Sequence, residues 1–287
     1  MKNNLIKAIA KGGMVRISSI DGTEIVQKAA EFHKTSATAS AALGRLLMAT
    51  ALMSQEFKDN LCKLTLKIQG DGPIGELLCV GSKEHVKGYA LNPEIELEPN
   101  SKGKLDVSGA VGKGYLYVIK DLKLKEPYVG QVPLYTGEIA EDIAYYYTIS
   151  EQINSAVGLG VLVDKDLSIK KAGGFIIQML PDADPLLSDF ITYRLEEIPS
   201  ITKMMEDGKE MRDILEFIFE GMDFEILEES YVDYYCDCSR EKVEKALISI
   251  GKKELLEIAK DNKDEELVCH FCNKKYIFTP GDIQKLI

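Results

Sequence analysis

Two periods of hydrophobic residues alternate along the first 180 residues and predict strands and helices in one domain. Residues 63–68 read Lys-Leu-Thr-Leu-Lys-Ile, and this period of two is typical of a half-buried strand. A Gly-Asp-Gly-Pro turn at 70–73 leads into a further strand at 74–80. Strands joined by short turns, with helices between them, favour antiparallel sheets covered by helices, which is an α+β fold. Further strands are predicted at 85–91, 115–119, 128–135, 156–163 and 168–179, and helices at 23–33, 36–54 and 138–152.

Residues 181–230 follow a helical period. Between Pro185 and Pro199 the apolar positions recur at helical spacing, and the prolines mark the ends of the run. A second helix is predicted over 207–219, with Asp207 as its N-cap. We therefore expect a helical linker after an N-terminal domain at 1–180. The apolar stripe of the second helix consists of Met211, Ile214, Leu215, Ile218 and Phe219.

Charge separates this linker from the rest of the chain. The protein has 35 Lys and Arg against 46 Asp and Glu, a net charge of −11. Residues 181–230 hold 4 basic and 15 acidic residues and so carry −11, whereas 1–180 carry +1 and 231–287 carry −1. Such helices are held mainly by docking their apolar stripe, and their like charges repel when the docking is lost. The linker is either ordered only when docked or an ordinary acidic linker, and composition leaves both interpretations open.

The chain shows no pattern typical of membrane insertion or secretion. A membrane span needs about 18 apolar residues, and the best candidate, 39–53, is interrupted by Arg45. The first 13 residues contain three lysines and lack the apolar core of a secretory signal. We therefore expect a cytoplasmic protein with no membrane partner. The acidic balance also argues against nucleic acid as a partner, since that needs a basic surface.

Cysteines are concentrated near the C-terminus, in residues 231–287. A Cys-X-Cys pair and a Cys-X-X-Cys pair lie 30 residues apart, and four thiolates suit tetrahedral zinc. A block of this size has a thin core, and zinc would supply part of its folding free energy. The predicted zinc ligands are Cys236, Cys238, Cys269 and Cys272. Cys62 and Cys79 lie at or inside predicted strands and are expected to be buried structural thiols.

The Cys236-Asp237-Cys238 pair leaves the role of the zinc site open. Two cysteines one residue apart can ligate one metal, and they can also close a small, strained and easily reduced disulfide ring. Zinc holds the sulfurs as thiolates, which is the form that oxidants attack. Spacing alone is therefore equally compatible with a redox-sensitive site and with a permanently folded zinc module. His270, between two ligands, is expected to lie at the surface or beside the ligands.

Two other functions compete with these interpretations of the zinc site. A thiol–disulfide oxidoreductase is disfavoured because metal-bound thiolates are not free to exchange, and no thioredoxin-like βαβ pattern surrounds either pair. A zinc-ribbon nucleic-acid-binding protein is disfavoured by the near-neutral C-terminal block and the acidic linker.

The glycines of 70–75 have the spacing of a dinucleotide-binding site, but Pro73 and the following strand favour a turn. Glu138 and Asp142, at i and i+4, are expected on a solvated helix face, so we expect no enzyme.

The four-cysteine arrangement resembles the C-terminal redox site of the bacterial 33 kDa heat-shock chaperone family, the redox-regulated holdases. The resemblance extends over nearly the whole chain, and no ligand position departs from the family pattern. It includes Thr38-Ala39-Ser40-Ala41-Ala42-Leu43-Gly44-Arg45, Gly70-Asp71-Gly72-Pro73-Ile74-Gly75, Gln131-Val132-Pro133-Leu134, Thr136-Gly137-Glu138-Ile139-Ala140-Glu141-Asp142 and Ala172-Gly173-Gly174-Phe175.

The resemblance implies a function and a mechanism. The reduced form with one zinc per chain would be a poorly active monomer. Oxidation would pair Cys236 with Cys238 and Cys269 with Cys272, release the zinc, and unfold the zinc domain at 231–287 together with the linker at 181–230. The protein would then form a homodimer that binds unfolding client proteins without ATP. The resemblance thus favours the conditionally ordered linker, whose docked helices would cover apolar surface.

Overall fold

The computed structural model describes residues 4–181, 183–261 and 263–287. The chain divides into two compact units, of which unit 1 ends at Tyr234 and unit 2 is Tyr235–Ile287. The elements of unit 1 are β1 (Leu5–Ala10), β2 (Val15–Asp21), α1 (Thr23–His33), α2 (Ala37–Ser54), β3 (Lys63–Gly70), β4 (Glu76–Gly81), β5 (His85–Ala90), α3 (Val107–Val111), β6 (Gly114–Asp121), β7 (Tyr128–Pro133), α4 (Ala140–Tyr146), β8 (Ser155–Val163), β9 (Ile169–Met179), α5 (Pro185–Glu197), α6 (Ile201–Glu206), α7 (Met211–Ile218), β10 (Phe224–Ser230) and β11 (Asp233–Tyr234). Those of unit 2 are α8 (Arg240–Ile250), α9 (Lys252–Lys260), β12 (Glu265–Val268), β13 (Lys275–Phe278) and α10 (Pro280–Lys285).

Unit 1 contains two sheets. The first, which we call sheet A, has the strand order β10-β1-β2-β9-β8, and every neighbouring pair in it is antiparallel. The second, sheet B, has the order β11-β5-β4-β3-β6-β7, and only the short β11–β5 pair is parallel. Sequential strands joined by turns with helices packed on the sheets confirm the predicted α+β class.

Helix α2 lies at the centre of unit 1, where it contacts strands of both sheets. It has 18 residues with a mean hydropathy of 1.2, enough in length and composition to cross a membrane, but 89% of this window is buried inside the protein. Its apolar residues form one core with the inward-facing residues of both sheets, such as Ile20 of β2 and Leu66 of β3. This burial is the environment of a core helix, so the apolar composition of α2 is explained by packing.

The strands predicted between 63 and 179 are all confirmed, and so are the helices at 23–33 and 36–54. The helix predicted at 138–152 begins as α4 and continues as a π-helical turn, Tyr147–Glu151. Sequence analysis did not identify β1 and β2. Both are inner strands of sheet A, and β1 buries Leu5 in the core around α2 and Ile6 in a second core on the other face.

The acidic segment covers the outer face of sheet A. Helices α5, α6 and α7 bury their apolar residues against strands β1, β2 and β9, while their acidic residues face outwards. This second core therefore has one wall from the sheet and one from the acidic segment. The sheet contributes Ile6, Ala8, Ala10, Val15, Ile17, Phe175 and Ile177, and the helices contribute Ile191, Ile201, Met204, Met205, Met211, Ile214, Leu215, Ile218 and Phe219.

Two predictions for this segment are wrong. Asp207 is the C-cap of α6 and not an N-cap, because Gly208 at φ +92° ends that helix and α7 begins after Glu210. The segment is also not helical up to residue 230. Its last seven residues form β10, because Phe224 and Ile226 pack into the second core and the backbone pairs with β1. The functional division at 1–180, 181–230 and 231–287 remains a prediction.

Unit 2 is small and has a thin core. Its buried apolar residues lie on α8, α9, the β12–β13 hairpin and α10. Two of the four C-terminal cysteines, Cys238 and Cys269, are half-buried against this core. The fold of unit 2 therefore places sulfur atoms where a larger domain would have further apolar side chains. The buried residues are Leu247, Leu255, Tyr276, Phe278 and Ile283.

Candidate metal centre

The four cysteines of unit 2 come from two local structures. Cys236 and Cys238 lie in the extended segment that precedes α8, and Ser239 caps this helix by accepting the backbone N–H of Lys242. Cys269 and Cys272 lie in the turn between β12 and β13. The turn is closed by the Cys269 N–H, which donates to the Lys274 carbonyl at 3.0 Å. Each cysteine pair is therefore held by a regular element that follows or encloses it.

The four sulfur atoms converge. All lie within 4.8 Å of one another, with 3.6 Å between the Sγ atoms of Cys236 and Cys269 and 3.4 Å between those of Cys238 and Cys272. Tetrahedral zinc with Zn–S bonds of about 2.3 Å would place its sulfur ligands about 3.8 Å apart. All four thiols are free of disulfide bonds. The donor set and its spacing therefore fit a tetrahedral site for a thiophilic metal.

The pKa values of the cysteine thiols also fit a binding site for a cation. Burial raises the pKa of Cys236 above its usual value and that of Cys272 to about 11. Burial acts in the same direction on Cys238, but hydrogen bonds from the Tyr276 hydroxyl and the Cys272 thiol outweigh it, and the pKa of Cys238 falls. The thiols thus differ in how readily they ionise. A divalent cation would supply the positive charge that lets all four ionise together.

Several side chains around the cluster were not identified from the sequence. The Tyr276 hydroxyl donates to Cys238 Sγ at 3.1 Å, and Lys242 Nζ donates to the carbonyl of Asp237 at 2.8 Å and to its carboxylate. The basic side chains that flank the ligands in the sequence have partners of their own: Arg240 pairs with Asp282, and Lys275 with Glu266. The contacts of Tyr276 and Arg240 join segments that are distant in the sequence, and cysteine spacing does not specify them.

The other residues considered as ligands or thiols lie as expected. His270 is exposed, and its ring is not among the donors that converge with the four sulfurs in the described part of the chain. Cys62 and Cys79 are buried free thiols of unit 1. Burial raises the pKa of the Cys79 thiol well above its usual value, which keeps it protonated and unreactive.

The carboxylates of Glu138, just before α4, and Asp142, in its first turn, have structural roles, and the expectation of a solvated face is wrong for Asp142. Its buried carboxylate accepts four backbone N–H groups of the preceding loop, while Glu138 pairs with Arg45 at 2.6 Å. The loop needs this support because Ile139 has φ +68°, a strained value for a β-branched residue. The four donors are Tyr135, Thr136, Gly137 and Ile139.

The glycines at 70–75 form a turn between β3 and β4, as expected. No helix follows them, so the arrangement lacks the helix N-terminus that a dinucleotide site needs. A Cβ atom on Gly70 would lie 1.9 Å from the carbonyl oxygen of Val111. Glycine is therefore required here by the close approach of two backbone segments.

Comparison with known proteins gives one consistent result. A family model described as Hsp33 protein matches residues 3–279. Two proteins named 33 kDa chaperonin, from Clostridium botulinum strains Hall and Eklund 17B, are 59% and 60% identical over 289 residues, covering 100% of this chain and 98% of each relative. A crystal structure of a 33 kDa chaperonin (heat shock protein 33 homolog) from Thermotoga maritima matches with a TM-score of 0.92 and 40% identity, over 99% of this chain and 98% of that one.

The fold, the four convergent cysteines and these similarities agree with the resemblance seen in the sequence. The family match spans almost the whole chain, and the relatives align over 98% of their length. The chain therefore belongs to the Hsp33 family of chaperones.

Proposed function

We propose that this protein is a redox-regulated, ATP-independent holdase that binds unfolding proteins and prevents their aggregation under oxidative stress. In the reduced form, Cys236, Cys238, Cys269 and Cys272 hold one zinc ion, and the protein is an inactive monomer. In the oxidised form, Cys236 pairs with Cys238 and Cys269 pairs with Cys272, the zinc is lost and the active homodimer forms. The protein acts in the cytoplasm and catalyses no reaction.

The observation that carries this proposal is the second core of unit 1. The acidic helices α5–α7 cover a contiguous apolar face of sheet A, to which they are joined through their side chains. An apolar face of this kind binds apolar segments of other proteins once it is uncovered. The segment 181–230, which contains these helices, carries a net charge of −11, so repulsion between its acidic residues favours release. The same charge keeps a complex with an unfolded protein in solution.

The cysteines supply the trigger. A thiolate sulfur attacks a peroxide oxygen and forms a sulfenic acid with release of hydroxide. A neighbouring thiolate then attacks that sulfur, forms the disulfide and releases a second hydroxide, so two thiolates are oxidised and one peroxide is reduced. Each disulfide removes two of the four ligands. Zinc contributes directly to the folding of such a small domain, so unit 2 unfolds when the ligands are lost.

The two parts are coupled by chain continuity. Strand β10 ends at Ser230 and β11 at Tyr234, and Cys236 follows two residues later. Unfolding of the cysteine segment therefore begins next to the C-terminal end of the acidic segment. We infer that loss of order propagates from there to α5–α7 and exposes the outer face of sheet A.

One paired assay tests the proposal. The reduced, zinc-loaded protein is titrated with hydrogen peroxide at raised temperature, and zinc release and suppression of the aggregation of a client protein are followed together. Activity should appear in step with the loss of one zinc per chain, and a thiol reductant with added zinc should reverse both. Zinc release without suppression of aggregation would contradict the holdase function.

A substitution of one ligand provides an independent arm. Cys269→Ser should weaken zinc binding and loosen unit 2 in the absence of oxidant, because three thiolates and a hydroxyl form a poorer zinc site. Unchanged zinc content and unchanged proteolysis of unit 2 would contradict the four-thiolate assignment. Catalytic reduction or isomerisation of a test disulfide by substoichiometric protein would favour an oxidoreductase instead.

A further inference from the structure

Among the four sulfur atoms, Cys238 Sγ has a hydroxyl group as a hydrogen-bond donor. Tyr276 lies on β13, directly after the turn that carries Cys269 and Cys272, and only 7% of its surface is exposed. Its ring packs in the small core of unit 2, and its O–H donates to Cys238 Sγ over 3.1 Å. Tyr276 thus connects the strand that follows Cys269 and Cys272 to the sulfur of Cys238, which belongs to the other cysteine pair.

The position of the ring strengthens this donor. The ammonium group of Lys274 lies 5.3 Å from the centroid of the Tyr276 ring. A cation above a phenol ring draws electron density from it and makes the hydroxyl a better donor. Sulfur atoms of Cys236 and Cys272 accept backbone N–H groups, from Cys238 and Lys274 respectively. Those backbone bonds stay in place when side chains are changed, so the contribution of the Tyr276 hydroxyl can be removed separately.

A hydrogen bond to a metal-bound thiolate lowers the reactivity of its sulfur. Metal coordination keeps the sulfur ionised, so its rate with an oxidant depends on nucleophilicity and not on the fraction of thiolate. Donors around a metal site withdraw electron density from the ligands and tune the centre. The sulfur that accepts the Tyr276 hydroxyl should therefore attack a peroxide more slowly than it would without that bond.

We propose that Tyr276 protects Cys238 from the first oxidation step, so that attack on peroxide begins at another sulfur of the cluster and the centre survives mild oxidant longer. This inference rests on the proposed function only for the presence of bound zinc and for peroxide as the oxidant. The step is the one given above: a sulfur of the cluster forms a bond to one peroxide oxygen, the O–O bond breaks, and hydroxide leaves. Tyr276 acts by lowering the electron density on one of the competing sulfurs.

The size of the effect follows from the strength of the bond. Losing a hydrogen bond to a charged group raises the basicity of a thiolate about tenfold to a hundredfold. Nucleophilicity follows basicity with a slope of about 0.4–0.5 on logarithmic scales, so the rate of attack by Cys238 should rise about threefold to tenfold. The other three sulfurs should keep their rates, and the order of modification within the cluster should change.

Tyr276→Phe in the full-length, zinc-loaded protein is the test. The variant keeps the ring in the core and removes only the hydroxyl. At early times after addition of peroxide, sulfenic acids are trapped with a dimedone reagent and mapped by mass spectrometry, while released zinc is followed with a chromogenic chelator. We expect Cys238 to be labelled about threefold to tenfold faster than in the wild type, and zinc release to accelerate.

Leu255→Ala is the matched control, because Leu255 is buried in the same core and its removal loosens unit 2 without touching the sulfur. It should accelerate labelling of the cysteines without singling out Cys238. A fluorinated tyrosine incorporated at position 276 gives the opposite change with the fold intact, since its more acidic hydroxyl is a stronger donor, and it should slow labelling of Cys238.

Equal labelling of Cys238 in wild type, Tyr276→Phe and the fluorinated protein would overturn the inference. The same preference for Cys238 in Leu255→Ala would overturn it as well, because it would assign the effect to packing. Neither result depends on client binding. A failure of the holdase assay would therefore leave the labelling pattern intact, and a failure of the labelling test would leave zinc release and suppression of aggregation as they are.

Discussion

Units 1 and 2 are stabilised in different ways. In the described part of unit 1, 41 buried residues form one core around α2, and 16 more form the core beneath the acidic helices. In unit 2, the corresponding cluster of buried apolar residues in the described chain has five members, with cysteines completing it. A core that small supplies only a few kcal/mol. Apolar packing therefore suffices for unit 1, whereas we expect unit 2 to depend on a metal ion held by its four sulfurs.

Within unit 1, a second difference separates the core around α2 from the acidic segment. The acidic segment belongs to unit 1 by its contacts, since α5–α7 and β10 all pack on sheet A. It differs from the rest of unit 1 in its charge, and its helices pack on only one apolar surface, the outer face of sheet A. We therefore expect three levels of stability in the chain: the core around α2, then the docked acidic helices, then unit 2.

Removal of zinc should have the largest effect and should divide the chain at the boundary between the units. A structural zinc ion contributes on the order of 10 kcal/mol to a small domain, so a chelator should unfold unit 2 in the reduced protein. In amide hydrogen exchange, the amides of β12 and β13 should lose protection while those of β3 and β6 keep it. Protected β13 amides in zinc-free protein would show that the thin core suffices, which would break the comparison.

The strands of sheet B and the four candidate ligands could be predicted because the patterns that indicate them lie within short stretches of sequence. Strand β3 alternates Lys-Leu-Thr-Leu-Lys-Ile since one face is buried and the other is partly exposed. Strand β1 was missed because residues on both of its faces are buried, with Leu5 in one core and Ile6 in the other. Such an inner strand carries a nearly continuous apolar pattern, which periodicity cannot assign.

At the site, spacing identified the four cysteines but not their neighbours. Tyr276 reaches Cys238 because β13 pairs with β12 in a register that sets Tyr276 opposite Leu267. Neither the register nor the packing of the cysteine segment follows from the sequence of either pair alone. Asp142 was misjudged for a similar reason, since its burial depends on the positive φ of Ile139, which a helical period does not indicate.

The next largest effect concerns the docked helices within unit 1. Ile214 of α7 is fully buried in the second core, so Ile214→Ala should weaken docking by about 2–5 kcal/mol. We expect protease cleavage within 198–210 and binding of an apolar dye to increase in the reduced, zinc-bound protein, with the core around α2 unchanged. Anti-aggregation activity should appear without oxidant.

Phe217→Ala on the same helix is the control, because Phe217 is 42% exposed and its loss removes a comparable apolar group from the other face of α7. It should change protease sensitivity little. If the two variants behave alike, docking of α7 on sheet A does not limit access to the apolar face. The docked acidic helices would then not form a separate level of stability between the core around α2 and unit 2.

A smaller effect is expected at the last residue of unit 1. The side chain of Tyr234 is 4% exposed, and its hydroxyl donates to the Gly88 carbonyl at 2.8 Å and lies 3.3 Å from His33 Nε2. Tyr234→Phe leaves these buried groups without the hydroxyl and should cost unit 1 about 1–3 kcal/mol. A calorimetric melt of unit 1 should shift down by about 2–4 °C per kcal/mol. Tyr193 lies on α5 and is 63% exposed, so Tyr193→Phe should leave the melt unchanged. An equal shift in both variants would contradict an anchoring role for Tyr234.

The smallest effect distinguishes the units by their response to acid. In unit 1, burial acts to raise the pKa of Glu151, but hydrogen bonds from Lys120 and Tyr146 outweigh it, and the pKa is lowered from 4.5. The carboxylate therefore stabilises unit 1 above pH 4.5, and this contribution is lost as the pH falls through the lowered pKa of the folded protein. Because the side chain is partly exposed, solvent screens its charge and the contribution should be under about 1 kcal/mol. Glu151→Gln should be slightly less stable than the wild type at neutral pH and equally stable in acid, as measured by urea unfolding of unit 1.

Unit 2 should respond to the same acid far more strongly, because protons compete with the metal for all four sulfurs. Zinc release should therefore precede any change in unit 1 as the pH falls, and it should be identical in wild type and Glu151→Gln. If the variant released zinc at a different pH, the two units would not be independent in their response to protons. If its deficit in urea persisted at low pH, the loss would come from packing around Tyr146 and not from the charge of Glu151.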